Sequence, residues 1–578
     1  MPNFPPLSDI RMTDCHDTNT QYSPPHFATS AEVDRRREEL RFNLRMAAGL
    51  WPEPARTPLN AKYELVGEFE GYTLKKVMFE SRPGFWSTGN LYLPRPLQGP
   101  CPAILNFVGH WEDQRLHRGE DGDFPQQIAN FARMGFVCLV TDMIGKVDSR
   151  QLSHEYGARP EEEAWLSNGL GVQLWNNIRA IDLLCEMPEV DSSRIGATGA
   201  SGGGSQTLFA SLMDDRIRAA APINMISLSM QGGCRCENAP GLRRHTNNLE
   251  MCAMIAPRPL FLAGSTGDWT VNQETLEAPA LEEIYSLYGA RDAFRHFYQD
   301  ANHQYNAKTR HEVYQFFAKH LQGRDIVWQE EPIETGDLQD FTWFRGDSCA
   351  PGFRSDSEYL AADAETRTAA VAALSAEDKK RMLGWMVDVC EEDPFSLAEG
   401  EDTEGFSIEY GKLSDTRGAE VRYAKYLPRD FDGRSAFLFI GGEDGYEPVL
   451  ECLEDGCAVI RANLFMTDGD GEPASRKAMY RSCFHASEDA CRVQDVWMLC
   501  RHILSTCESL DICATDAAAR AVAVALPLLP AGVTAHLDAA ALKDAAGMNI
   551  PGLSLLGGVM GCAKLAMQEG KMVHFLNF

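Results

Sequence analysis

Apolar residues in this chain come in short bursts separated by amphipathic stretches. Ala103-Ile104-Leu105-Asn106-Phe107-Val108, Val137-Cys138-Leu139-Val140, Ile195-Gly196-Ala197-Thr198 and Pro257-Arg258-Pro259-Leu260-Phe261-Leu262-Ala263 read as strands buried on both faces. Strands are also expected at 72–80 and 88–94, and Phe294-Arg295-His296-Phe297-Tyr298 reads as the last of the set. Helical patterning occupies 124–134, 169–186, 205–213 and 309–321. An earlier helix at 30–50 has Ser30 as its expected N-cap and Glu32 and Asp34 in its first turn. Strands and helices alternating at this spacing predict a mostly parallel sheet covered by helices on both faces.

At 578 residues the chain is too long for one ordinary domain. The expected division is an N-terminal arm and helix (1–50), a first α/β domain (51–322), a linker and helical segment (323–400, acidic over 325–340), and a second α/β domain (401–578). Two insertions, 143–168 and 224–250, are long for such a fold and fall at the end of the sheet where a pocket is built. The second half echoes the first in order. Gly71-Tyr72-Thr73 returns as Gly405-Phe406-Ser407, and Tyr92-Leu93-Pro94 as Tyr426-Leu427-Pro428. The strand at 103–108 returns as Phe437-Leu438-Phe439-Ile440 with Gly441-Gly442, and Ile195-Gly196-Ala197-Thr198 as Ile512-Cys513-Ala514-Thr515.

The composition narrows the function classes. An apolar content of 44% supports packed cores, and no apolar run is long enough to cross a membrane. Residues 1–6 lack a basic stretch followed by an apolar one, so no secretory leader is expected and the cytoplasm is the expected location. The 17 cysteines are scattered and lie mostly in apolar runs, as in a reducing compartment. A formal charge of −29 argues against nucleic acid or an anionic membrane as partner. Phosphate-binding and dinucleotide loops are missing, so no cofactor is expected. Cys234-Arg235-Cys236 is the one close cysteine pair; with no second pair or histidine at ligand spacing, no metal is expected. Oligomeric state is left open.

The chemistry centres on Gly199-Ala200-Ser201-Gly202-Gly203, which lies between a strand and a helix. This is the G-x-S-x-G elbow in its proper context: a sharp turn flanked by small residues lifts a serine hydroxyl above the sheet and aims a helix N-terminus at it. Asp268 follows the strand at 257–263, and His303 follows the one at 294–298. The order Ser201, Asp268, His303 is that of an α/β-hydrolase fold. Ser201 is then the nucleophile, His303 the base and acid, and Asp268 the group that orients the imidazole. Asp300 competes with Asp268 but shares a loop with His303; His296 competes with His303 but falls inside a strand as a packed core residue. The oxyanion hole is expected from the N–H groups of Gly202 and His110, with Trp111 the next choice after His110. Trp111 and Trp269 are expected to line the pocket. In the second half, Asp516-Ala517-Ala518-Ala519 replaces the elbow, the expected strand 552–556 leads to no acid, and the chain stops at Phe578 before any matching histidine. The second domain is therefore expected to be a degenerate, non-catalytic α/β-hydrolase-like repeat.

Over residues 50–321 the chain resembles bacterial α/β-hydrolases of the acetylxylan esterase-like or carbohydrate esterase-like kind. The resemblance rests on Gly49-Leu50-Trp51-Pro52, Thr57-Pro58-Leu59-Asn60, Phe79-Glu80-Ser81-Arg82-Pro83-Gly84-Phe85, Thr88-Gly89-Asn90-Leu91-Tyr92 and Gly109-His110-Trp111. It continues through Gly199 to Gly203, Gly233-Cys234-Arg235-Cys236-Glu237-Asn238-Ala239-Pro240-Gly241, Ala256-Pro257-Arg258-Pro259 and Gly267-Asp268-Trp269-Thr270. It implies the α/β-hydrolase fold and a metal-free Ser201–Asp268–His303 triad, and it does not fix a substrate. The leading expectation is a serine-dependent carboxylic ester hydrolase acting on a small-molecule or oligosaccharide ester such as an acetylated sugar. Such proteins commonly carry His-Gly where this chain has Val108-Gly109. The Cys-x-Cys-Glu-Asn loop reads as a pocket feature of the family, with Glu237 holding an arginine such as Arg243. The rival readings are a peptidase or amidase of the prolyl-oligopeptidase type, for which no propeller repeat is visible, and a non-catalytic binding or scaffold protein.

Overall fold

A computed structural model describes residues 5–576 apart from 347, 404, 442–445, 468–470 and 544–547. The expectations placed on 1–4, on Gly442 and on the chain end at Phe578 lie outside the described residues. The chain divides into two compact units. The first comprises Thr18–Glu162 and Leu166–Asp363; the second comprises Met1–Asp17, Glu163–Trp165 and Ala364–Phe578.

The first unit is built on nine strands: β1 (Lys62–Phe69), β2 (Tyr72–Arg82), β3 (Phe85–Pro94), β4 (Cys101–Phe107), β5 (Val137–Thr141), β6 (Val190–Ala200), β7 (Ile217–Ile223), β8 (Leu260–Gly267) and β9 (Phe294–Asn302). Their order is β1-β2-β3-β5-β4-β6-β7-β8-β9. The first three form an antiparallel meander, β3 also pairs antiparallel with β5, and every pairing beyond β5 in the sheet is parallel. Crossing between parallel strands requires helices on the faces. These are α2 (Phe124–Arg133), α3 (Gly169–Glu186), α4 (Gly202–Met213), α5 (Ala278–Leu287) and α6 (Ala307–Phe317), preceded by α1 (Ser30–Ala47). This mostly parallel sheet flanked by helices is the expected α/β-hydrolase architecture.

The core explains the apolar bursts. Every position of β3 and β5 is buried, and Ile104, Phe124, Phe131, Cys138, Phe261, Tyr314 and Phe317 join one cluster. Each large apolar side chain buried this way contributes about 1.5–3 kcal/mol. Gly196 shows how closely helix meets strand: a Cβ there would stand 2.6 Å from the Phe317 ring and 2.8 Å from Leu321. Residues 323–363 belong to this unit as well, with Ile333 and Phe341 buried in the cluster and the Trp328 indole donating to Asn130 at 3.1 Å.

Local departures from expectation have local causes. The N-cap of α1 is Thr29, whose hydroxyl accepts from the Glu32 N–H, so Ser30 is the first helical residue. The same helix ends at Ala47, just before Gly49 turns left-handed at φ 63°. Strand β1 was not foreseen, because its exposed residues carry no apolar run. Helix α4 begins at Gly202, directly behind Ser201, and His296 on β9 is half-buried, not a core residue.

The second unit holds another sheet: β10 (Phe395–Asp402), β11 (Phe406–Ser414), β12 (Glu420–Pro428), β13 (Ser435–Ile440), β14 (Ala458–Asn463), β15 (Ser509–Ala514), β16 (Val533–Asp538) and β17 (Met572–Leu576). Its order, β10-β11-β12-β14-β13-β15-β16-β17, repeats that of the first sheet with one strand fewer. The strand expected at 552–556 is a 3-10 turn, Leu553–Leu556. The elbow is also shifted from its expected place. Helix α7 (Asp516–Ala525) opens on Asp516 at φ 50°, so Asp516, not Ala518, holds the backbone position that Ser201 holds at φ 59°. Among the described residues, no helix is long and apolar enough to cross a membrane.

Candidate active site

Three strand ends gather the predicted residues on one edge of the first sheet. Ser201 follows β6, Asp268 follows β8, and His303 follows β9. Register Gly267↔Asn302 brings Asp268 and His303 level on neighbouring parallel strands. Ser201 sits at φ 59°, ψ −128°, a strained conformation for a side-chain-bearing residue. Its N–H donates to the Ile223 carbonyl at 3.1 Å, and its own carbonyl accepts from Gly204 and Ser205. The flanking glycines are required by contact. A Cβ on Gly199 would stand 2.4 Å from the Phe107 carbonyl oxygen, and one on Gly203 would stand 2.3 Å from the same atom.

The acid and the imidazole are joined. His303 Nδ1 lies 2.9 Å from Asp268 Oδ2, with the Asp268 side chain 1% exposed and that of His303 29%. Oδ2 also accepts from Asn224 Nδ2 at 2.7 Å, and Oδ1 accepts from the Thr270 N–H at 2.7 Å and from the Thr270 hydroxyl. Burial pushes the Asp268 carboxyl up, but the hydrogen bonds from His303, Thr270 and Asn224 outweigh it and hold it below the ordinary carboxylate value. Asn224 was missed by the sequence reading. It is fully buried just beyond β7, at φ 47°, and its amide also donates to Ser265 Oγ at 2.7 Å. Asp300 instead accepts from Thr266 at 2.6 Å, away from the imidazole.

The loop after β4 closes over the elbow. A Cβ on Gly109 would meet the Ala200 carbonyl oxygen at 2.5 Å and the Trp111 ring at 2.6 Å; one on Gly202 would meet the His110 ring at 2.5 Å. His110 and Gly202 are thus in direct contact. Two indoles flank His303: the Trp269 ring centroid lies 4.4 Å away and that of Trp111 6.3 Å away, nearly parallel to the imidazole. Asp121 anchors Trp111 by accepting from Nε1 at 2.7 Å.

Behind the elbow lies the Cys-x-Cys loop. The Glu237 carboxylate accepts from Ser205 Oγ at 2.5 Å and from the Gly233 N–H at 3.1 Å. Arg243 donates to the Glu237 backbone carbonyl and to Asn238 Oδ1, both at 2.8 Å. Gln206 of α4 donates to the Cys236 carbonyl at 3.1 Å. The two thiols meet two imidazoles: His154 Nε2 is 3.1 Å from Cys234 Sγ, and His110 Nε2 is 3.3 Å from Cys236 Sγ. A hydrogen bond from Cys236, with contacts from both histidines, holds the Cys234 thiol far below its ordinary value. Cys236, facing Cys234 and buried, is pushed up. The expectation of no metal rested on spacing along the chain, and the two histidines arrive here from loops distant in sequence.

Residues 59–226 match the family model described as acetyl xylan esterase (AXE1). "Putative hydrolase YtaP" of Bacillus subtilis (strain 168) is 23% identical over 286 residues, covering 46% of this chain and 95% of that protein. Esterase FrsA of Photorhabdus laumondii subsp. laumondii is 27% identical over 169 residues, covering 29% of this chain and 35% of that one. Among solved structures, Methylesterase BT1017 is 28% identical with a TM-score of 0.48, covering 58% of this chain and 75% of that one. On the family match the chain is an ester hydrolase, with an acetyl xylan esterase-like domain over residues 59–226 of its first unit.

Proposed function

We propose that the first unit hydrolyses a carboxylic ester of a carbohydrate through a Ser201–His303–Asp268 triad, an acetylated sugar being the substrate class that fits best. The observation carrying this reading is the 2.9 Å His303–Asp268 contact between strand ends, with Ser201 in a left-handed turn on the same edge. In this mechanism His303 Nε2 takes the Ser201 proton as Oγ attacks the ester carbonyl. Asp268 holds the Nδ1–H and stabilises the imidazolium that forms. The N–H groups of Gly202 and His110 bind the negative oxygen of the tetrahedral intermediate at the N-terminus of α4. Collapse expels the alcohol, which takes the proton from His303. A water deprotonated by His303 then attacks the acyl-enzyme, and a second collapse releases the acid and regenerates Ser201.

Trp111 and Trp269 supply the aromatic faces on which a sugar ring or acyl group packs. The second unit is proposed to be a degenerate copy without serine chemistry, since its elbow carries no hydroxyl and Gly557-Gly558-Val559-Met560-Gly561 supplies no acid where Asp268 stands in the first. The cysteines, all free thiols, support a reducing compartment such as the cytoplasm.

The test is hydrolysis of p-nitrophenyl acetate and butyrate by wild type and Ser201→Ala. A fall in kcat of roughly 10⁴-fold or more is expected; equal low rates would remove Ser201 from the reaction. Acetylated xylo-oligosaccharides and sugar methyl esters then define the substrate.

A further inference from the structure

Two long insertions and the loop after β4 converge on one cluster that the triad does not use. His110 comes from that loop, His154 from the insertion at 143–168, and Cys234 and Cys236 from the insertion at 224–250. Their ligand atoms, two imidazole nitrogens and two sulfurs, all lie within 4.8 Å of one another. We propose that these four side chains bind a zinc-type divalent cation in a closed tetrahedral site, and that the ion pins the oxyanion loop to the elbow.

The donor set is the first argument. Two thiolates and two imidazoles in a tetrahedron are the borderline-soft environment that zinc prefers, and four protein ligands make a structural site. Orientation is the second. His154 Nδ1 lies 2.8 Å from the Ile144 carbonyl oxygen, which can only accept, so Nδ1 carries the proton. The lone pair is therefore on Nε2, the atom facing Cys234 Sγ at 3.1 Å. A backbone carbonyl fixing the tautomer of a ligating histidine is the usual outer support of a metal site. Gly145 lets that loop fold tightly, since a Cβ there would meet the His154 backbone nitrogen at 2.3 Å.

Spacing is the third argument. Zinc–sulfur and zinc–nitrogen bonds of about 2.3 and 2.05 Å at the tetrahedral angle place N and S about 3.6 Å apart. Two of the four N···S separations, 3.1 and 3.3 Å, are within half an ångström of that, and the others fall inside 4.8 Å. The thiol loop is also held in place independently of any ion. Asn238 Nδ2 donates to the Gly232 and Cys234 carbonyls at 3.0 and 2.9 Å, Glu237 binds Ser205, and Gln206 binds Cys236. Because the His110 ring touches Gly202, anchoring it fixes both N–H groups assigned to the oxyanion hole. That second half of the inference rests on the esterase reading; the binding does not.

The test starts with metal analysis of the full chain purified without chelator. About one zinc per chain is expected in wild type and in Ser201→Ala, and essentially none in a Cys234→Ser/Cys236→Ser variant. Chelator-stripped wild type should take up cobalt(II) with the sulfur-to-metal charge transfer and strong visible bands of tetrahedral thiolate coordination. Substoichiometric metal in wild type, with no cobalt spectrum from stripped protein that circular dichroism shows to be folded, would overturn the site without recourse to any variant. Stripping should lower kcat on p-nitrophenyl acetate on the order of 10²-fold with little change in KM, and zinc should restore it. Bound zinc whose removal leaves kcat unchanged would overturn the positioning role. Zinc retained in an inactive Ser201→Ala separates this inference from the triad.

Discussion

Replacing Asn224 by Asp should reverse the pH dependence of stability at the site. In the native protein Asn224 Nδ2 donates to Asp268 Oδ2 at 2.7 Å, and Asp268 is held below the ordinary carboxylate value. A lowered carboxyl contributes stability that is present above its unfolded pKa and lost as pH falls through its folded one. Asn224→Asp keeps the shape of the side chain and its tolerance of φ 47°, but sets a second carboxyl against the first. Two carboxyls at that distance share one proton, and the pKa at which that proton leaves is raised. With the proton present the short hydrogen bond is remade and the variant should approach wild type. With it gone two buried charges face each other. A raised carboxyl contributes stability below its unfolded value and loses it as pH rises through the folded one, opposite in sign to wild type. A shift of about 3 units corresponds to roughly 4 kcal/mol lost by pH 8. Urea unfolding followed by loss of esterase activity reports the first unit alone, and midpoints at pH 5 and pH 8 measure the difference. Parallel wild-type and variant midpoints at the two pH values would refute the reasoning, because the new carboxyl would then not face Asp268.

Asp268→Asn should lower kcat by about 10⁴-fold in a folded protein, because the amide no longer holds the His303 Nδ1–H in the productive tautomer; steady-state kinetics with p-nitrophenyl acetate check this. Gly202→Ala places a methyl 2.5 Å from the His110 ring and must displace it. A kcat loss on the order of 10²–10³-fold at nearly constant KM is expected, and an unchanged kcat would take these N–H groups out of the oxyanion hole. Gly196→Ala drives a methyl into Phe317 and Leu321. It should cost about 1–3 kcal/mol in activity-detected unfolding while leaving kcat intact, since it lies inside β6 and packs on Phe317 and Leu321, not on the elbow.

What was legible in the sequence follows from the range of each signal. Buried parallel strands announce themselves as apolar runs, so β4 and β5 were found nearly to the residue and β6 and β8 in part, while α3 matches its expected bounds; β7 (Ile217–Ile223), whose centre is three alanines, was not expected. Exposed β1 has no such run. The elbow was readable because Gly199, Ser201 and Gly203 lie within one turn, whereas Asn224 reaches Asp268 across 44 positions. The meeting of His110 and His154 with the cysteine pair was hidden for the same reason: it depends on how two irregular insertions fold back, which no periodicity records. In the second half collinear matching found the repeat but set the elbow at Ala518, since a run of alanines carries no marker for where strand becomes helix. Only the left-handed φ of Asp516 marks it.

That left-handed residue has a bearing on how the first elbow arose. Holding a side-chain-bearing residue there costs about 1–3 kcal/mol, and the chain bears this cost twice, once at Ser201 and once at Asp516, where no hydroxyl benefits from it. The distortion is thus a property of reversing a parallel strand directly into the helix behind it, present whether or not the turn carries a hydroxyl. Seen this way, the architecture supplies a poised attachment point in advance, and acquiring or losing hydrolysis at such a turn is a matter of side chains alone.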